Sequence, residues 1–134
     1  MMPVRVRRHA RRAPARSELR FEPGVSGRMG AVEGTRDVYL GKIPVAQYRY
    51  QFITPTSAEI NWVGVRGDYQ GQGVGRLVVE KILDDLRQQG VQLVYLDSTP
   101  YAYPFWEHMG FRPVDREQEE TGEIYSINRM VMFL

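Results

Sequence analysis

The 134-residue chain contains no cysteine and only two histidines, His9 and His108. Without a thiol there is no disulfide framework, no thiolate zinc site and no cysteine nucleophile, and two imidazoles offer little to a metal. No apolar run approaches the roughly 18 residues of a membrane span. The first 20 residues lack the apolar centre of a secretion signal, so a soluble, cytoplasmic protein with no metal and no membrane span is expected. No lysine is followed by serine or threonine, which removes the Walker loop GxxxxGK(S/T).

What is present fits one domain: 43% hydrophobic and 25% charged residues are enough for a single core at this length. The net charge of +2 is unevenly placed. Residues 1–20 hold seven arginines against one acid, Glu18, and the remainder of the chain is net acidic. Like charges at this density repel one another, so 1–20 reads as a solvated basic arm, the one part suited to nucleic acid. Residues 21–36, with "EPGVSGRMGAVEG", read as a glycine-rich loop or linker, and 37–134 as the folded domain.

Within that domain "VYLGKIPVAQYRYQFI" predicts a hairpin and "AEINWVGV" a further strand. On that strand alternation places Glu59, Asn61, Val63 and Val65 on one face and Ile60, Trp62 and Gly64 on the other. A glycine inside a strand marks a bulge or a close backbone approach, which makes Gly64 the expected irregularity. Val74, Val78, Ile82 and Leu86, broadened by Leu77, Val79 and Leu83, form the apolar stripe of an amphipathic helix, with Gly90 placed to cap its end. "VQLVYL" reads as a buried strand in parallel pairing, and "IYSINRMVMFL" as the last strand. "DREQEETGE", between them, reads as an acidic loop or hairpin tip.

Between strand and helix lie Gly71, Gly73 and Gly75. Bare backbone there lets the first unpaired amides of the helix face one external group, and the helix dipole favours an anion, a phosphate or pyrophosphate above all. A dinucleotide fingerprint needs GxGxxG. Counting from Gly71 the third place is Arg76, and from Gly73 it is Val78. Asp97, at the end of the next strand, is the one matching feature.

"QGQGVG", Gln70–Gly75, resembles the coenzyme A pyrophosphate loop (Gln/Arg)xxGx(Gly/Ala) of the GNAT N-acetyltransferase superfamily. "AYPFWEHMGF", Ala102–Phe111, is similar to that family's later signature AxxFYxxxGF. The resemblance covers about residues 45–134. It implies an α/β fold with a mixed, largely antiparallel sheet, flanking helices and a split at the acetyl-CoA site, here with the N-terminal helices reduced or absent. It also implies acetyl-CoA as co-substrate, an amine acceptor that is a small molecule or a protein, and room for a homodimer. The cofactor contacts it assigns are Val63, Gly64, Val65, Gln70, Gly71, Gln72, Gly73, Val74, Gly75 and Arg76.

Acetyl transfer to an amine calls for a base, an oxyanion donor and an acid. "AEI" resembles the histone-acetyltransferase branch, in which Glu59 would be the base; the competing reading is a charged residue on an exposed strand. Trp106 and Thr99 stand where many relatives carry tyrosine and asparagine, and an indole delivers no proton at neutral pH. Tyr103, and next to it Tyr101, are the substitutes for the acid. Two other classes stay open: an acetyl-CoA-binding module without turnover, and a nucleic-acid-binding protein that uses the basic arm.

Overall fold

The structure is a computed structural model that describes residues 13–22, 35–114 and 128–134. Most of the basic arm, the centre of the glycine-rich stretch and the acidic loop 115–123 lie outside the described residues. Among the described residues seven strands form one sheet: β1 (Leu19–Phe21), β2 (Arg36–Leu40), β3 (Ile43–Thr54), β4 (Ser57–Val65), β5 (Leu93–Asp97), β6 (Arg112–Pro113) and β7 (Arg129–Phe133). They are ordered β1-β2-β3-β4-β5-β7-β6, and every neighbouring pair is antiparallel except β4–β5. Two helices are described, α1 (Val74–Gln88) and α2 (Tyr103–His108).

Local chemistry explains the turns. Gly41, at φ +62°, opens the two-residue β2–β3 hairpin between the paired Leu40 and Ile43, a conformation glycine adopts without steric cost. At the β3–β4 turn the Thr54 and Ser57 hydroxyls meet at 2.7 Å, and Thr54 Oγ1 accepts the Thr56 N–H. The α1 stripe is buried as its spacing predicts, over Val74, Leu77, Val78, Val79, Ile82, Leu83 and Leu86. Each such side chain contributes about 2 kcal/mol of burial. The helix stops at Gly90, φ +85°, where Val91 N–H donates to the Leu86 carbonyl (3.0 Å) and Gly90 N–H to that of Arg87 (3.1 Å). This is a Schellman cap, and it turns the chain back into β5, parallel to β4.

The first boundary needs correction. β1 runs through the position where the basic arm was expected to end: Leu19–Phe21 pair with Val38–Leu40, and Leu19 is buried. Just before it, Arg16 bonds Asp84 of α1 at 2.8 Å. The arginines on either side hide a three-residue strand whose apolar content is two side chains, and only the β2 edge makes it a strand. Further into the core, Arg36 donates to the Tyr50 hydroxyl (2.9 Å) and lies over the Tyr48 and Tyr50 rings. Burial raises the Tyr48 phenol above its ordinary pKa, with Arg36 opposing.

Candidate active site

The site begins where β4 leaves β5. The two strands pair from Ser57↔Leu93 to Ile60↔Leu96, and β4 then continues to Val65 without β5. At that point β4 carries a bulge: Arg49 of β3 opposes Trp62, whereas Tyr50 opposes Ile60, so Asn61 is the extra residue. One inserted residue exchanges the faces of everything that follows. Ala58 and Ile60 enter the core, and beyond the bulge Val63 and Val65 turn to the same helix-covered side. The expected single face of Glu59, Asn61, Val63 and Val65 is therefore broken, and Glu59 lies on the other side of the sheet from the two valines.

The irregularity is at Asn61 rather than at Gly64. Gly64 serves Trp62 instead: a Cβ at Gly64 would stand 2.5 Å from the Trp62 ring, so the missing side chain is the space in which the indole lies.

The departure of β5 leaves backbone donors of β4 open. Arg66 N–H donates to the Val45 carbonyl at 2.8 Å, and in an antiparallel ladder such pairs recur at every second residue. Gly64 and Trp62 thus spend their backbone groups on β3, while those of Val63 and Val65 point into the split. Gln70 Nε2 donates to the Val65 carbonyl (2.9 Å) and ties the loop to the strand end. The open groups are the Val63 N–H and C=O and the Val65 N–H.

A 3₁₀ turn, Gly67–Tyr69, leads to the loop, where Gly71 (φ +76°) and Gly73 (φ +81°) take left-handed conformations. Only glycine holds both without strain. Leu77 N–H donates to the Gly73 carbonyl (3.1 Å), closing the first turn of α1. The Gly73, Val74, Gly75 and Arg76 amides are then the open donors of the helix start. Gln72 is held by its amide on the Asp68 carbonyl (3.2 Å), and among the described residues its buried Oε1 has no partner. A methyl at Gly75 would rest 3.6 Å from Phe105 and Val65, ordinary contact.

These groups line one cleft of about 750 Å³ between β4, the loop and α2. Val63, Val65, Gln70, Gly71, Gly73, Val74, Gly75 and Arg76 are on its wall, as is Tyr101, which is 95% exposed. Tyr103 is not on the wall; it opens α2 half-buried against the core. Trp106 is buried with its ring edge-on to Phe105 (5.0 Å) and Phe111 (5.4 Å), a packing role. Thr99 Oγ1 accepts the Ala102 N–H (3.1 Å) and caps the turn into α2.

On the opposite face Glu59 is 22% exposed and engaged at both oxygens. Arg129 Nη2 reaches Oε2 at 3.2 Å and Asn61 Nδ2 donates to Oε1 at 3.1 Å. Sequence reasoning missed Arg129, because β7 is set beside β5 only by the sheet order. Among the described residues no group of three or more His, Asp or Glu is placed to hold a metal, and no helix is long and apolar enough to cross a membrane.

Split sheet, open β4 edge and glycine loop at a helix start together are the features of the GNAT fold. The profile of the acetyltransferase (GNAT) domain matches residues 45–130, and the chain belongs to this family. It is 29% identical over 126 residues to an uncharacterized N-acetyltransferase of Chlorobaculum tepidum, across 82% of this chain and 77% of that one. Among solved structures, an acetyltransferase from Thermus thermophilus superposes at a TM-score of 0.61 with 26% identity, over 75% of this chain and 63% of that one. A GNAT family acetyltransferase from Elizabethkingia anophelis, solved with acetyl-CoA bound, shares the fold at a TM-score of 0.67 and 12% identity, over 87% and 99% of the two chains. Other curated relatives are matched over only 32 to 37% of their own length.

Proposed function

We propose that this domain moves the acetyl group of acetyl-CoA to a primary amine. The observation that supports this best is that the open amides of residues 73–76 and the unpaired β4 edge at Val63 and Val65 share one cleft. The donor set fits the co-substrate. Four convergent amides at a helix N-terminus suit a pyrophosphate, with Gly71 and Gly73 leaving its approach clear. An unpaired strand edge suits the amide groups of a pantetheine arm.

In the reaction the amine nitrogen forms a bond to the thioester carbon and the carbon–sulfur bond breaks. An acceptor that is an ammonium ion at neutral pH gives up two protons, one to the base before attack and from there to solvent, and one that ends on the departing thiolate. The open Val63 and Val65 N–H groups hold the thioester carbonyl and the arm beside it. The amine approaches from the open face of the sheet, where Glu59 takes its proton through the split beyond Ile60 and Leu96. Of the two tyrosines considered for the acid, we assign Tyr101, since it stands on the cleft wall and Tyr103 does not.

Calorimetry with acetyl-CoA, followed by thiol release with an alanine-terminated peptide, a lysine peptide, spermidine and glucosamine, tests the reading. Acetyl-CoA is expected to bind and, at 100 times its Kd, to stabilise the fold by about 2.7 kcal/mol, and at least one amine to be turned over. Binding without turnover of any amine would favour a coenzyme A-binding module. A thermal shift with NADH and none with acetyl-CoA would overturn the assignment.

A further inference from the structure

We propose that Arg129, on β7, is a positioning residue that aims the Glu59 carboxylate at the acceptor amine. This rests on the reading of Glu59 as the base. Arg129 touches three groups from two other strands. Nη2 lies 3.2 Å from Glu59 Oε2, Nη1 lies 3.3 and 3.4 Å from the two Asp97 oxygens, and the guanidinium carbon sits 5.2 Å from the Tyr95 ring centroid. Its side chain is only 21% exposed, and among the described residues the buried Nε has no partner. A planar guanidinium fixed by a ring beneath it and a carboxylate on one nitrogen presents its second nitrogen in one direction only. A lysine ammonium, a point charge on a flexible stem, does not.

The place of this cluster gives it a purpose. Arg129 pairs with Asp97, the last residue of β5, one step past Leu96↔Ile60, where β4 and β5 separate. Glu59 is one residue before the same point. Asn61, the bulge residue, holds Oε1 from its own strand, and Arg129 holds Oε2 from two strands away. A carboxylate gripped on both sides keeps one orientation on a strand flank where it would otherwise exchange rotamers. The two contacts on Glu59, 3.2 Å from Arg129 and 3.1 Å from Asn61, are longer than the 2.7–2.9 Å of a tight charge-assisted pair. They direct the carboxylate without locking its remaining lone pair away from a proton. Partly exposed ion pairs add little to stability, so the effect belongs to the rate.

The test is a double-mutant cycle in the full chain, with thiol release read for the best amine of the panel above. Arg129→Gln is expected to lower kcat by roughly 10- to 100-fold, the scale of a misplaced catalytic group, with acetyl-CoA affinity and Tm unchanged. Arg129→Lys is expected to recover part of the loss, and it serves as the working variant if the glutamine form fails to fold. In a Glu59→Gln background Arg129→Gln should cost nothing further, because both act through one group. Hydroxylamine, whose nitrogen is unprotonated at neutral pH, should be acetylated equally fast by wild type and variants, which a merely structural role would not produce. Additive losses in the cycle, or an equal loss with hydroxylamine, would overturn the inference. Full activity of Glu59→Gln alone is a different result: it removes the base assignment, and the positioning role with it, whatever Arg129 does.

Discussion

The Gln70–Arg76 loop and the Glu59–Arg129 pair flank the same strand, yet they are made by different means. The loop is contiguous in the chain, and its working groups are backbone amides exposed by Gly71 and Gly73 at positive φ. The pair is assembled from side chains 70 positions apart, on β4 and β7, with Asn61, Tyr95 and Asp97 around it. A site made of backbone is sensitive to added atoms and tolerant of lost side chains. A site made of side chains is sensitive to changes that preserve shape and remove a proton acceptor.

The largest effect that would sharpen this contrast is expected from Gly73→Asp. At φ +81° the new residue is strained, and its charge faces the place of a pyrophosphate. Acetyl-CoA binding should be lost while circular dichroism shows a folded domain; undiminished affinity would mean that the glycines only make a turn. Next comes Glu59→Gln, which keeps the shape. Turnover at neutral pH should fall by about 100-fold with acetyl-CoA affinity preserved, and raising the pH should restore part of it as more amine becomes neutral unaided.

Moderate effects separate the scaffold from the arm. Deleting residues 1–12 should leave acetyl-CoA binding and Tm as they are. Deleting residues 1–21 removes β1 with buried Leu19, a loss of about 2 kcal/mol from that side chain alone, and should lower Tm visibly. Equal Tm for both truncations would show that β1 contributes nothing. The smallest effect is expected from Gly75→Ala, where ordinary φ and 3.6 Å of clearance leave room for a methyl. A gain of about 0.4–1 kcal/mol in stability with unchanged acetyl-CoA affinity would separate Gly75 from Gly73.

Legibility in the sequence followed the range of the interactions. The α1 stripe, its Gly90 cap, the hairpins and the parallel β5 were readable because each depends on periodicity or on a turn within a few residues. β1 was not, since its flanking arginines outweigh two apolar side chains until β2 supplies an edge. Beyond Asn61 the faces of β4 depart from simple alternation, since no residue type announces a one-residue bulge and Gly64, the residue that suggests one, is not where it lies. Tyr101 stands on the cleft wall and Tyr103 does not, a difference made by the turn that Thr99 caps and not specified by the spacing of the two tyrosines.

By itself, then, the sequence determined the strand–loop–helix unit and the helix start with its open amides, because positive φ at Gly71 and Gly73 and the free N–H groups at 73–76 are local consequences of residue type. The tertiary structure alone decided which face Glu59 occupies, where β4 parts from β5, and that Arg129 reaches Glu59. Those outcomes depend on one inserted residue in a ladder and on β7 lying beside β5, and neither is encoded in any short stretch of the chain.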